Sequence, residues 1–250
     1  MDVEIITVGY EILEGDVLDT NSNWMAKKIA STGNRLRRIT IIEDDVDVIA
    51  SCLRDSLGRT PELILISGGL GPTRDDLTLE GVAKGLGLGL VEDPDALEMI
   101  RRRYAAMHPE TPPEGLMTES RRKMAMIPEG SKPLNNPVGT APAVRIESSN
   151  TTIICLPGVP DELKAIFEES VMPVLKPQEK EHSTQVIVEG IGESLLAPFL
   201  NELMETCGVE VRSYPSKGRI RVKIIGHRSL DAASRLQSML RGRATATVVD

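Results

Sequence analysis

The segment from Gly68 to Asp76, GGLGPTRDD, directly follows the strand-like run LILIS at residues 63–67, apolar up to Ser67. Gly68, Gly69 and Gly71 lack the Cβ that would keep an anion away from the backbone. Glycine also reaches the positive φ that turns successive N–H groups into one concavity. Thr73 adds a hydroxyl donor. A glycine pair after a strand serves equally as a plain strand-to-helix turn, so the neighbours decide between the two. Asp75, Asp76 and Thr78 come next, and carboxylates beside a phosphate cradle repel the ligand unless a divalent cation sits between them. Asp75 and Asp76 are therefore the candidate catalytic and metal-binding pair. Because a carboxylate is also favoured at a helix N-terminus, one of the two is expected to cap the helix starting at Leu77. The other, with Asp75 favoured, is expected to face the ligand.

Three further loops fall where a βα rhythm places them near the same sheet edge: GYEILEG at 9–15 with Thr20 and Asn21, NPVGTA at 136–141, and LPGVPDE at 156–162. Gly9, Gly139, Thr140 and Gly158 are candidate close backbone or hydroxyl contacts. Asn21 is a candidate polar contact, and Glu11 and Glu162 offer carboxylates to a metal or to ligand hydroxyls. Each of these loops also reads as a structural turn. Arg122 and Lys123, beside Arg121, read either as a solvated helix face or as the cations that an anion pocket needs. No GxSxG elbow and no Cys–His pair points to covalent catalysis. His108, His182 and His227 are too scattered for a ligand set, and the three cysteines, Cys52, Cys155 and Cys207, read as ordinary reduced thiols. GLGLG at 85–89 follows a helix where a dinucleotide fingerprint must follow a strand.

Composition narrows the ligand. With a net charge of −8 and 2% aromatic residues, the chain offers neither a basic field for phosphate backbones nor rings for stacking bases. A small phosphorylated ligand held by local donors or a metal is favoured over nucleic acid. No apolar run approaches the roughly 20 residues a bilayer requires, and the N-terminus lacks signal-peptide features, so a cytoplasmic protein is expected.

The elements that must position these loops alternate as short strands and amphipathic helices over the first 175 or so residues, which predicts helices packed on a mostly parallel sheet. Strands are read at 3–8, 36–42, 63–67, 143–147 and 152–156. Helices are read at 20–31, with Thr20 and Asn21 as caps, and at 46–57, 77–86, 96–107, 119–124 and 161–171. Asp93 and Pro94 mark a helix start, and residues 108–115, with three prolines, read as loop. The polar segment 176–183 reads as a linker, giving domains at 1–177 and 178–250. The second has the order strand (185–189), helix (195–206), strand (210–214), strand (220–225), helix (230–240), strand (244–249), the β-α-β-β-α-β or ferredoxin-like pattern.

The motifs GxEIL with TN downstream, GGLGPTRDDLT, RKxAxIPEG, NPVGTAP and LPGVPDE, in this order over about residues 1–175, resemble the competence/damage-inducible protein A (CinA) family. Their Gly68, Gly69 and downstream Asp pattern is similar to the wider MoaB/Mog domains that bind molybdopterin. GIGES at 190–194 and SYP at 213–215 resemble the small α/β module that follows in CinA proteins. The resemblance implies a three-layer α/β/α domain and a Mg²⁺- or Co²⁺-dependent pyrophosphatase acting on ADP-ribose or an FAD-like dinucleotide. The alternatives are non-catalytic molybdopterin or nucleotide binding, or molybdopterin adenylyltransferase activity on MgATP and a pterin dithiolene. It also implies a homo-oligomer, with a dimer favoured. The C-terminal nicotinamide mononucleotide deamidase domain of long CinA proteins is not expected within 250 residues. Two positions depart from the pattern: Tyr10 stands where the family commonly has Asp or Asn, and Ala143 where it has Gly.

Overall fold

The computed structural model describes residues 1–110, 112–178 and 182–249. Two compact units divide the chain, Met1–Gln178 and Glu179–Asp250. Residues 179–181 of the expected linker lie outside the described residues.

In the first unit the order is β1 (Asp2–Val8), α1 (Tyr10–Leu13), α2 (Thr20–Ser31), β2 (Arg35–Ile42), α3 (Val46–Gly58), β3 (Leu63–Ser67), α4 (Thr78–Leu86), β4 (Leu90–Glu92), α5 (Pro94–Met107), α6 (Pro113–Leu116), α7 (Glu119–Lys123), β5 (Met126–Pro128), β6 (Lys132–Leu134), β7 (Ala143–Ser148), β8 (Thr151–Leu156) and α8 (Pro160–Ile166), which runs on as a π-helical turn, Phe167–Val171. Six strands form the central sheet in the order β2-β1-β3-β8-β7-β6. Neighbours from β2 to β8 are parallel, and β7 alone runs against the rest.

Alternation along the strands explains the layers. Ile6, Val8, Ile64, Ile66, Ile153 and Cys155 point to one face and pack under α3, α4 and α5 with Ile49, Leu53, Val82 and Ile100. Val3, Ile5, Leu63, Leu65, Ile154 and Leu156 point to the other and meet Met25 and Ile29 of α2 and Leu163, Ile166 and Phe167. β3 is buried at every position, as a parallel strand covered on both faces must be. The fold is thus the three-layer α/β/α arrangement with a mostly parallel sheet.

Local details differ from the sequence expectation. Asp19, not Thr20 or Asn21, caps α2, its Oδ1 accepting from the Ser22 N–H at 2.9 Å. Residues 108–115 are not loop throughout: Pro113 opens the single turn α6, because a helix leaves its first N–H groups unpaired and proline lacks one. The strands β4, β5 and β6 have three residues each, too few to show a period in sequence. A π turn completes the helix read at 161–171.

The second unit contains β9 (Ser183–Glu189), α9 (Glu193–Cys207), β10 (Glu210–Ser216), β11 (Arg219–Ile225), α10 (Ser229–Met239) and β12 (Thr245–Val249). Its antiparallel sheet has the order β10-β11-β9-β12. Val186, Val188, Val222 and Ile224 pack on Leu196, Leu203 and Leu236 of its two helices.

Candidate functional site

At the carboxyl edge of the parallel strands, the ends of β1 and β3 are locked together. Gly68 has φ +103°, and a Cβ there would lie 2.1 Å from the Val8 carbonyl oxygen. The Gly68 N–H donates to the Leu156 carbonyl at 3.0 Å, tying the turn to β8 as well. Gly69, at φ +64°, presses against Thr78, whose Oγ1 donates to the Gly68 carbonyl at 2.8 Å. Both glycines are therefore required by close approach and by conformation. Among the described residues no acceptor is assigned to the N–H groups of Gly69, Leu70 or Gly71, so these donors remain for a ligand.

A cleft of about 720 Å³ opens over this turn, within the range of small-molecule sites. It brings together Gly9, Glu11, Asn21, Gly68, Gly69, Asp75, Asp76 and Gly158 of the residues expected from sequence. One wall is apolar, formed by Val8, Tyr10, Ile12, Val17 and Leu18. Tyr10 is 52% and Leu18 81% exposed, an arrangement that leaves them free to cover a ring. The polar side holds six carboxylates, Glu11, Asp19, Glu43, Asp44, Asp75 and Asp76, and no Lys, Arg or His. Burial, the largest influence, pushes the Asp44 carboxyl above the usual carboxylate range, and the charges of Glu11 and Asp76 push the same way. The Tyr10 N–H, donating to Asp44 Oδ2 at 2.9 Å, opposes them. Asn21 Nδ2 donates to the Gly158 carbonyl at 2.7 Å, while its Oδ1 is buried without a partner among the described residues.

Neither aspartate of the pair caps α4 through its side chain. Leu77 occupies the cap position without a side-chain bond. Asp76 folds back instead, Oδ2 accepting from the Thr73 N–H at 2.7 Å and from Thr73 Oγ1 at 2.6 Å. Gly71 gives the Asp76 carboxylate room, since a Cβ there would lie 2.7 Å from it. Asp75, exposed, makes no hydrogen bond within the described protein.

The other candidates sit elsewhere. Thr78 is fully buried and its hydroxyl is spent on Gly68. Gly71 and Lys123 line a smaller hollow behind the loop, and Lys123 Nζ donates to the Thr73 carbonyl. Arg122 is paired with Glu92 at 2.7 Å, outside the cleft. Gly139 and Thr140 line a separate hollow beside α5. Glu162 accepts from Asn136 Nδ2 at 2.7 Å and packs against Gly139, which fastens the 136–141 loop. Ala143 is fully buried in the core, so its methyl group is a packing feature and not part of the cleft. Cys155 is buried in the sheet, which pushes its thiol up to about 12 and rules it out as a ready nucleophile.

Glu43, Asp44 and Asp19 were not picked out from the sequence. The first two follow the apolar end of β2, where a binding loop belongs, but an acidic run before a helix also reads as a cap. Asp45 does cap α3, accepting from the Asp47 and Val48 N–H groups at 2.8 and 3.0 Å. Among the described residues no group of three or more His, Cys, Asp or Glu is arranged to hold a metal ion. The expected metal set of Asp75, Asp76 and Glu11 lines the cleft, but it does not form such a group.

Comparison with known proteins gives the family. The family model described as a probable molybdopterin binding domain matches residues 4–177. A protein of Pyrococcus horikoshii is 42% identical over 85% of this chain and 83% of its own length, and one of Metallosphaera sedula is 39% identical over 85% and 78%. The crystal structure of CinA from Thermoplasma acidophilum, a protein described as of unknown function, superposes with a TM-score of 0.64 at 38% identity. It covers 70% of this chain and 99% of that one. Among the described residues no helix is long and apolar enough to cross a membrane. The chain belongs to the probable molybdopterin binding domain family and within it resembles CinA.

Proposed function

We propose that the first unit binds a phosphorylated pterin of the molybdopterin type in the cleft over Gly68 and Gly69. The observation that carries this reading is the excess of acceptors: six carboxylates and the orphaned Asn21 Oδ1, with no cationic side chain in the lining. The 2-aminopyrimidinone edge of a pterin presents adjacent N–H donors that a carboxylate accepts in a paired fashion. The apolar wall at Tyr10, Val17 and Leu18 covers the ring face. The ligand phosphate then lies against the free N–H group of Gly69, with a divalent cation screening Asp75. When bound, that cation supplies charge neutralisation and, for a reactive diphosphate, polarisation of the phosphoryl oxygen.

A second reading is favoured by Asp75 alone, which is unengaged beside free backbone donors. It is Mg²⁺- or Co²⁺-dependent hydrolysis of ADP-ribose or an FAD-like diphosphate, with Asp75 orienting water or metal. Isothermal titration with a phosphorylated pterin, ADP-ribose and FAD, with and without Mg²⁺, ranks the two. Tighter binding of the pterin, lost in Asp44→Asn, supports the first. AMP release from ADP-ribose that disappears in Asp75→Ala supports the second. No binding of any pterin and no AMP would refute both.

A further inference from the structure

Beside α5, the loop 135–142 closes a second hollow of about 250 Å³ whose chemistry is opposite to that of the cleft. Its charged lining residues are two arginines, Arg102 and Arg103, and no carboxylate lines it. Arg103 reaches across from the helix and donates through Nη2 to the Val138 carbonyl. Its Nε is buried and has no acceptor among the described residues, the only buried side-chain donor there in that state. A guanidinium N–H removed from water without an acceptor is costly, so such a group marks a place where an acceptor belongs.

The loop that faces Arg103 is already rigid. Asn136 Oδ1 accepts from the Val138 and Gly139 N–H groups at 3.1 and 2.7 Å, and its Nδ2 is shared between the Ala141 carbonyl and Glu162. Thr140, half-buried on the lining, has a hydroxyl with no partner among the described residues. Arg102, largely exposed, lines the hollow and donates through Nε to Glu98 of the same helix at 2.7 Å. An oxyanion therefore enters a preformed setting of donors with little ordering left to do.

We infer that this hollow is an oxyanion site for a phosphoryl group, in which Arg103 Nε and Thr140 Oγ1 donate and Arg102 adds charge at the entrance. The site needs no divalent cation, unlike the acidic cleft, and it stands apart from the pterin reading. The shared chemistry has two sources, free inorganic phosphate and the terminal phosphate of a larger ligand.

The test is titration of metal-free protein with inorganic phosphate, pyrophosphate and a phosphorylated pterin, read by calorimetry and by the phosphate-dependent rise of the melting temperature. Wild type is expected to bind phosphate or pyrophosphate in the presence of a chelator. Arg103→Ala is expected to lose at least tenfold in affinity, Thr140→Val several-fold, and Arg103→Lys to fall between. Arg54→Ala should bind as wild type does, because it removes an exposed arginine of α3 that lines neither the hollow nor the cleft. If Arg103 merely clamps the loop, phosphate will not raise the wild-type melting temperature, and the inference is overturned. It is also overturned if Arg103→Ala or Thr140→Val binds phosphate unchanged. Thr140→Val decides the matter should Arg103→Ala fail to fold. Pyrophosphate bound in preference to phosphate assigns the site to the phosphate end of a larger ligand, and the reverse order to the free ion.

Discussion

Gly68→Ala is the sharpest test of how the turn builds the cleft. The new Cβ would lie 2.1 Å from the Val8 carbonyl oxygen, and that oxygen belongs to a strand paired on both sides with β2 and β3. Neither strand end can yield without breaking parallel pairing, and the φ of +103° is one that alanine adopts only under strain. Strained backbone costs about 1–3 kcal/mol and an overpacked contact about as much again, so a loss of roughly 2–6 kcal/mol is expected. At about 2–4 °C per kcal/mol for a domain of this size, a mid-range loss lowers the melting temperature by roughly 8–16 °C. Circular dichroism melts read the stability, and calorimetric titration of the ligand reads the cleft, which should weaken because Val8 and Gly9 line it. Gly158→Ala is the internal control: its Cβ would meet only Gly68 Cα, at an ordinary 3.4 Å, and it should cost under about 1 kcal/mol. A Gly68→Ala protein that melts within about 2 °C of wild type, or a Gly158→Ala protein that falls as far, would refute the argument.

Three other outcomes follow from the packing. Arg59 holds the buried Glu4 through Nε and Nη2 at 2.8 and 2.7 Å, and this contact holds the Glu4 carboxyl below the usual carboxylate range. Arg59→Ala should cost about 2–3 kcal/mol, below the ~3–5 of a fully buried pair because Arg59 remains 35% exposed. Since the folded value is depressed, the stabilisation is present above the ordinary glutamate range and is lost as pH falls through the folded value; acid melts of the variant should show a flatter limb there. Asp44 carries the opposite sign: its raised carboxyl favours the fold below the ordinary aspartate range, and that advantage is lost as pH rises through the folded value. Asp44→Asn keeps an acceptor for Tyr10 and should be at least as stable as wild type at neutral pH, with a smaller pH slope in denaturant titrations. In Gly81→Ala a Cβ placed 2.5 Å from the Ile49 Cβ would push α4 off α3, and a loss of about 1–2 kcal/mol by urea melts is expected even after the better helix propensity of alanine.

Long-period features of the fold were legible in the sequence. The unbroken apolar run of β3 and the amphipathic spacing of α3 need no tertiary knowledge, and Asp93 with Pro94 announces α5 by local capping alone, Asp93 accepting from the Ala96 N–H at 2.8 Å. The glycine turn was legible because its chemistry is local. What escaped was whatever depends on a distant partner. Asp76 is the exception, a local ambiguity: capping α4 and folding back onto Thr73, three residues away, are equally good uses by sequence, and the chain takes the second. Arg103 looks like any charged helix residue until the loop 135–142 comes to rest over it. Asp44 becomes a cleft wall only because β2 lies next to β1, so that the Gly9 N–H reaches the Ile42 carbonyl at 3.0 Å and brings the two strand ends together.

The strand order gives the two proposed sites a direction. Along the edge the loops appear as Glu43 and Asp44 after β2, Gly9 to Glu11 after β1, Gly68 and Gly69 after β3, Gly158 after β8, and residues 135–142 before β7. Charge therefore changes sign along the sheet, from the carboxylates that follow β2, β1 and β3, Glu43, Asp44, Glu11, Asp75 and Asp76, to the arginines of α5 that line the hollow beside β7. A ligand with a donor-rich ring and an anionic tail is favoured in one orientation along that gradient and opposed in the other, since reversing it sets phosphate against six carboxylates. The polarity survives any single substitution in the cleft because it is written into the order of the strands. Reversing the charge at one end, by Arg102→Glu with Arg103→Glu, should thus weaken a phosphorylated ligand more than its dephosphorylated form. Equal weakening of the two would separate the hollow from the cleft and leave each to its own ligand.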